Sequence, residues 1–210
     1  MGDIRAVVFD MDGVLIDAKE WHYEALNRAL GIFGFGISRI DHLTTFDGLP
    51  TRKKLEMLSL ERGLPKALHG FINELKQVYT TSIIHQKCKP EFAHEYALSK
   101  LKESGFKLAV ASNSIRATVE LMMEKSNLRQ YLDCMVSNQD VKNAKPHPEM
   151  YLTAARQLAV DPSNCLVVED HPHGIQAAES AGCPVLVVEN PVDVNLDNIA
   201  KAIQRALKNR

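Results

Sequence analysis

Asp10-Met11-Asp12-Gly13-Val14-Leu15-Ile16-Asp17 is the stretch on which the fold turns. It follows Ala6-Val7-Val8-Phe9, a brief apolar run set off by Arg5 before it and by acids and a glycine after it, which reads as a buried strand. Asp10 and Asp12 therefore stand at the C-terminal end of a strand, where open α/β sheets place their ligands. Gly13 lets the backbone turn back beside them, and side-chain alternation can aim both carboxylates into one crevice. Such a pair invites a divalent cation and an anionic substrate. An isolated Asp-x-Asp-Gly also describes a plain polar turn closing a strand, so the decision rests on what the rest of the chain brings to the same edge.

Outward from this stretch the chain first becomes helical. Trp21, Ala25, Leu26, Ala29 and Leu30 recur at helical spacing until Gly31, Gly34 and Gly36 interrupt them. The Gly31–Gly36 run looks like a phosphate loop only superficially: no strand precedes it and it has no Lys, so it reads as an interhelical loop. Ser38 and Asp41 resemble a capping box opening a short helix. After Asp47-Gly48 a helix is expected from Thr51 to Arg62, stopped by Gly63. Pro65 then opens another, with Leu68, Phe71, Ile72, Leu75, Val78 and Tyr79 on one face. Residues 16–85 thus form an all-helical insert, expected to be a separate cap lobe, while residues 1–15 and 86–210 form the core domain.

From Cys88 onward helices alternate with strands, the pattern of a parallel sheet with crossover helices. The strands are expected at Leu108–Ala111, Cys134–Val136, Cys165–Val168 and Val185–Val188. The helices between them are expected at Glu91–Ser104, Ile115–Lys125, Pro148–Leu158 and Gly174–Ala181, and a final amphipathic helix carries Leu196, Ile199, Ala200, Ile203 and Leu207. The fold class is α/β: a Rossmann-like parallel sheet with helices on both faces, plus the small helical lobe.

Bulk properties narrow the partners. With 25 Lys plus Arg against 26 Asp plus Glu, no global field recruits nucleic acid or an anionic membrane, so any anion site is local. Cys88, Cys134, Cys165 and Cys183 are widely spaced without a Cys-x-x-Cys pair, which indicates reduced thiols and neither a zinc site nor a redox dithiol. No stretch of about 20 apolar residues and no signal-like segment is present, and Met1-Gly2 lacks the Ser or Thr at position 6 that acylation asks for. A cytoplasmic monomer acting on a small molecule is expected.

Each apolar strand is followed at once by polar residues: Asp10 and Asp12, then Ser112-Asn113-Ser114, then Glu169-Asp170. The loop Asn143-Ala144-Lys145-Pro146-His147-Pro148, stiffened by its two prolines, presents Lys145. In a parallel sheet these strand ends share one edge, which then holds a hydroxyl, an ammonium and four carboxylates. Four such segments in this order resemble the four motifs of the haloacid dehalogenase superfamily, most closely its β-phosphoglucomutase-like subgroup, over residues 4 to about 190.

The resemblance implies a mechanism. Asp10 would attack phosphorus to give an aspartyl-phosphate, and Asp12 would be general acid and then base. Mg²⁺ would be held by Asp10, Asp170 and the backbone carbonyl of Asp12, with Glu169 close by. Ser112 and Asn113 would meet the phosphoryl oxygens and Lys145 would neutralise their charge. In the cap, which this family places over the site, His22 and Arg52 are the substrate candidates. There are departures too: Pro50 lengthens the interval before Arg52, no lysine stands at Thr81, although Lys76 is near, Ala144 precedes Lys145, and His171-Pro172-His173 follows motif four. The implied activity is a Mg²⁺-dependent phosphatase of a small phosphorylated metabolite, possibly a sugar phosphate. The alternatives are a phosphomutase, which the missing cap lysine disfavours, and a non-enzymatic phosphate-ligand sensor, which would need a broken site. The presence of Asp12 disfavours a phosphonatase.

Overall fold

The computed structural model describes residues 3–46 and 49–208; Met1-Gly2 and Asp47-Gly48, both used above, lie outside them. The chain divides into two compact units, one from the N-terminus to Asp17 together with everything from Cys88 onward, the other Ala18–Lys87.

Ala18–Lys87 contains α1 (Lys19–Gly31), α2 (Arg39–Asp41), α3 (Thr51–Arg62) and α4 (His69–Lys87), and no strand among its described residues. Leu26, Ala29 and Leu30 of α1, Leu55 and Leu58 of α3 and Ile72 of α4 close on Ile37, Phe46 and Leu64 to form its core. Each fully buried Leu or Ile contributes about 1.5–3 kcal/mol. Ser38 Oγ accepts the Asp41 N–H at 3.0 Å, and α2 then widens into a π-helical turn over His42–Phe46. Gly63 ends α3 in the left-handed region at φ 72°, which a side chain would strain.

The buried stripe of α4 differs from expectation. Ile72, Lys76, Thr80, Ile83 and Ile84 face inward, whereas Phe71 and Val78 are exposed. The periodicity is helical in both cases, and α1, the main partner of α4, selects which face is covered. Phe71 keeps an edge-to-face contact with Phe33 at 6.1 Å, and the lysine stem supplies apolar surface of its own.

The other unit is a five-stranded parallel sheet: β1 (Ala6–Phe9), β2 (Lys107–Ala111), β3 (Cys134–Val136), β4 (Cys165–Glu169) and β5 (Val185–Val187), in the order β3-β2-β1-β4-β5. Its helices are α5 (Phe92–Glu103), α6 (Arg116–Lys125), α7 (Glu149–Leu158), α8 (Pro172–Ser180) and α9 (Leu196–Lys208). Ala6, Val8, Ala109, Ala111, Val136, Cys165 and Val167 line the face covered by Met150, Tyr151, Ala154 and Leu158 of α7 and Ala177 and Ala178 of α8. By the period of two, Val7, Leu108, Val110 and Leu166 turn to the opposite face, where α5 and α9 pack. Both faces of β1 and β4 are buried, as near-continuous apolar strands require, while the edge strand β5 is partly exposed.

Helices α5, α6 and α7 start one residue after the expected position, and α8 starts two residues before it. α8 opens at Pro172 rather than Gly174, because His171 Nδ1 accepts the His173 N–H at 3.2 Å and Pro suits the first helical position. Ser112 Oγ accepts the Ser114 N–H at 3.0 Å, and Ile115, at the N-cap position of α6, makes no side-chain cap bond. Among the described residues no helix is long and apolar enough to cross a membrane. All four cysteines are free, and burial pushes the Cys88, Cys134 and Cys165 thiols up to about 11 and Cys183 to about 12.

The turn after β3 is closed by Asp140, whose Oδ2 accepts the Ser137 N–H at 2.8 Å, its hydroxyl at 2.6 Å and an Arg116 N–H at 2.5 Å. Burial raises its carboxyl, but these donors outweigh that and bring it down to about 2. A depressed carboxyl stabilises the fold above its unfolded pKa of about 4 and loses that contribution as the pH falls through its folded value. Asp140→Asn should therefore cost about 1 kcal/mol in urea unfolding at pH 7, and the difference from wild type should shrink between about pH 4 and pH 2.

Candidate active site

Because β1 lies between β2 and β4, the residues just beyond Phe9 sit at the point where the strand order reverses. Phe9 pairs with Val110 on one side and Val168 on the other, so Asp10, Ala111 and Glu169 form the next row across three adjacent strands. The same alternation that buries Val8, Ala109 and Val167 against α7 turns this row toward α7 as well.

Lys145 closes that row. Its ammonium donates to Asp10 Oδ1 at 2.6 Å, to the Ala111 carbonyl at 2.8 Å and to Glu169 Oε1 at 2.8 Å, which uses all three of its N–H donors. The Lys145 side chain is 4% exposed and that of Glu169 is 1% exposed, so this is a buried ion cluster. Removing one partner of such a cluster typically costs about 3–5 kcal/mol. Asn113 holds the lysine's own backbone: its Oδ1 accepts the Lys145 N–H at 3.1 Å and its Nδ2 donates to the Lys145 carbonyl at 3.5 Å. The resemblance implies Asn113 for the phosphoryl oxygens; in the structure its side-chain amide contacts the backbone of the Lys145 loop.

Glu169 is saturated. Oε1 takes Lys145 and the Tyr151 hydroxyl (2.8 Å), and Oε2 takes the N–H groups of Asp170 (2.9 Å) and His171 (3.1 Å). Four donors fill the four acceptor positions of a carboxylate. Gly174 makes room for it in the first turn of α8: a Cβ there would lie 1.6 Å from Glu169 Oε1. Asp170 follows immediately, and Asp10, Glu169 and Asp170 each offer an oxygen within 4.8 Å of the others, a hard-donor set able to hold a divalent cation.

Asp12 is held from β2. Its Oδ2 accepts the Ser114 hydroxyl at 3.0 Å and the Ser112 hydroxyl at 3.4 Å, while Gly13, at φ 93°, donates to the Ile16 carbonyl at 2.7 Å and folds the chain back. Ser112 thus faces the second aspartate as well as the strand end.

The titration behaviour follows the burial. Desolvation drives the Asp10 carboxyl well above the usual carboxylate range; Lys145 opposes this, and the Glu169 and Asp12 charges reinforce it. Desolvation also raises Glu169, but there the Lys145 charge and hydrogen bond, helped by the His171 N–H and Tyr151, prevail and hold it below its ordinary value. For Lys145, burial would lower the ammonium, and the two carboxylates keep it above its normal value. Burial and the nearby carboxylates push the Tyr151 phenol well up, so its hydroxyl keeps the proton it donates.

The remaining two candidates belong to the helical unit. Arg52 lies in the first turn of α3 with its side chain 89% exposed and paired with Glu56 at 3.0 Å, while nearby Lys54 is buried. His22 lies in the first turn of α1, half-buried, with its N–H on the Ala18 carbonyl at 3.0 Å.

Three residues of the site were given no role in it from the sequence: Tyr151, which was not singled out, Ser114, read only as part of the polar run after a strand, and Gly174, read only as a helix start. Tyr151 had a signal, since a tyrosine on the apolar stripe of a helix needs a partner for its hydroxyl. Gly174 had one too, because glycine in a helix costs about 1 kcal/mol and is kept where something approaches closely.

The match to known proteins agrees with this geometry. Residues 7–188 fit the family model described as haloacid dehalogenase-like hydrolase, and the chain belongs to that family. It is an enzyme, a phosphatase of that type. It is 32% identical over 182 residues to a phosphorylated carbohydrates phosphatase of Thermotoga maritima, covering 85% of this chain and 82% of that one. It is 29% identical over 176 residues to a fructose-1-phosphate phosphatase of Escherichia coli, covering 84% and 92%. Among solved structures, a β-phosphoglucomutase of Clostridium difficile shares the fold with a TM-score of 0.82 at 24% identity, covering 98% of this chain and 99% of that one.

Gly174→Ala should force Glu169 out of its cradle. Overpacking of this kind costs about 1–3 kcal/mol, so thermal unfolding should show a lower Tm, whereas Gly105→Ala, where a Cβ meets nothing within 4 Å, should show only the strain of its positive φ.

Proposed function

We propose that the protein is a Mg²⁺-dependent phosphatase of a small phosphorylated metabolite, foremost a sugar phosphate, working through an aspartyl-phosphate on Asp10. The observation that carries this is the row Ala111–Asp10–Glu169 closed by Lys145, with a second aspartate two residues on and a third carboxylate beside it.

Lys145 occupies Asp10 Oδ1, which leaves Oδ2 as the attacking oxygen. Asp12 is the general acid for the leaving oxygen and then the base for water; the serine hydroxyls that hold it set its orientation. Ser112 is the candidate hydroxyl for a phosphoryl oxygen. Asp10, Asp170 and the Asp12 carbonyl are assigned to the cation, and Glu169, with its four acceptor positions spent, fixes Lys145 and the peptide of Asp170 beside them. A bound Mg²⁺ supplies charge neutralisation for the phosphoryl oxygens.

The helical unit is assigned the choice of leaving group, with His22 and Arg52 as its candidate contacts. The sugar-phosphate class is supported by the names of the Thermotoga and Escherichia relatives. The near balance of charge and the free thiols support a cytoplasmic, monomeric enzyme without nucleic-acid or membrane partners.

Sugar phosphates, nucleotides and small phosphorylated acids incubated with the protein should yield inorganic phosphate, most from a sugar phosphate. A positional isomer of the sugar phosphate in place of free phosphate would show a phosphomutase. Chelation should abolish release and Mg²⁺ restore it. Asp10→Asn should lower turnover by about a thousandfold or more with an unchanged circular dichroism spectrum; near-normal release by that variant would falsify the nucleophile.

A further inference from the structure

Tyr151 touches both members of the buried ion pair. Its hydroxyl donates to Glu169 Oε1 at 2.8 Å, and the Lys145 ammonium lies 4.7 Å from the centre of its ring. The side chain is 1% exposed and packs within the α7 face of the core, so it cannot meet a substrate directly. One rigid residue on α7 therefore bears on the cation through its π face and on the anion through its phenol.

That double contact has a geometric consequence. Glu169 Oε1 is shared by Lys145 and Tyr151, so the phenol fixes which lone pair the ammonium meets. The ring beneath the ammonium bars it from swinging toward α7 and keeps its remaining two donors on Asp10 and Ala111. We infer that Tyr151 is a positioning residue for the phosphoryl-transfer site, setting the orientation of Asp10 through Lys145 and Glu169. The inference rests on the phosphatase reading given above, because it assigns Asp10 as the group whose orientation matters.

Two substitutions separate the contacts: Tyr151→Phe removes the hydroxyl and keeps the ring, and Tyr151→Leu removes both. Thr153→Val takes a buried hydroxyl from the same helix outside the cluster and serves as the comparison. Mg²⁺ binding is measured by calorimetry, kcat and KM on the best sugar phosphate of the panel, and Tm by thermal unfolding. Tyr151→Phe should weaken Mg²⁺ binding or lower kcat by about tenfold, the size typical of losing one hydrogen bond to a charged group. KM should stay within about twofold, and Tyr151→Leu should lose about a further tenfold. Thr153→Val should lose some Tm with Mg²⁺ binding and kcat unchanged.

If Tyr151→Phe keeps Mg²⁺ binding and kcat within about twofold while its Tm falls like that of Thr153→Val, Tyr151 is a packing residue and the inference is overturned. Should Tyr151→Leu fail to fold, Tyr151→Phe alone decides. A wild-type protein that neither binds Mg²⁺ nor releases phosphate sinks the phosphatase reading, and this inference with it. A wild-type enzyme that does both while Tyr151→Phe is unaffected sinks only the role of Tyr151.

Discussion

The ammonium of Lys145 is the contact on which the core unit depends. It reaches one level of the sheet and meets three neighbouring strands there, through a carboxylate, a carbonyl and a second carboxylate. Taking such charges out of water costs several kcal/mol per ion, and only close geometry with every lone pair and proton engaged offsets it. The chain meets that demand with elements far apart in sequence: Asn113 from the end of β2 grips the peptide of the lysine, and Gly174 at the start of α8 leaves space for its partner. The sheet order is what makes this feasible, because only the strand at the reversal point has ligand-bearing ends on both sides.

The acids of the site differ in what surrounds them. Glu169 is enclosed by four donors. Asp170, one residue further, leaves the strand and joins Asp10 in the set able to hold a cation. Asp12 is held by hydroxyls and not by the ammonium, so its environment differs from that of Asp10 although only Met11 separates them. Two carboxyl groups in different surroundings are what an enzyme needs when one must attack and the other must pass a proton.

Much of this could be read from the chain alone. The apolar runs ending in acids, hydroxyls and a lysine-bearing turn specify a parallel sheet with its polar groups on one edge, because a period of two and the strand-end rule are local properties. Contacts decided by packing were harder to see. The stripe on α4 could be read as either of two neighbouring faces, and α1 covers the one with Lys76 and Thr80. The contact of the Asn113 amide with the Lys145 backbone joins segments far apart in sequence, so no local pattern shows it. Tyr151 was not singled out in the sequence, since nothing local says that Glu169 lies at the end of its ring.

The chain as a whole carries a formal charge of only −1. Yet this single edge gathers Asp10, Asp12, Glu169 and Asp170 around one ammonium that is fully engaged by its own neighbours. An approaching phosphate ester is itself an anion and meets a local excess of its own sign, unless a divalent cation has already settled among the carboxylates. On the magnesium reading, a cation held among these carboxylates would offset the excess charge that the ester meets.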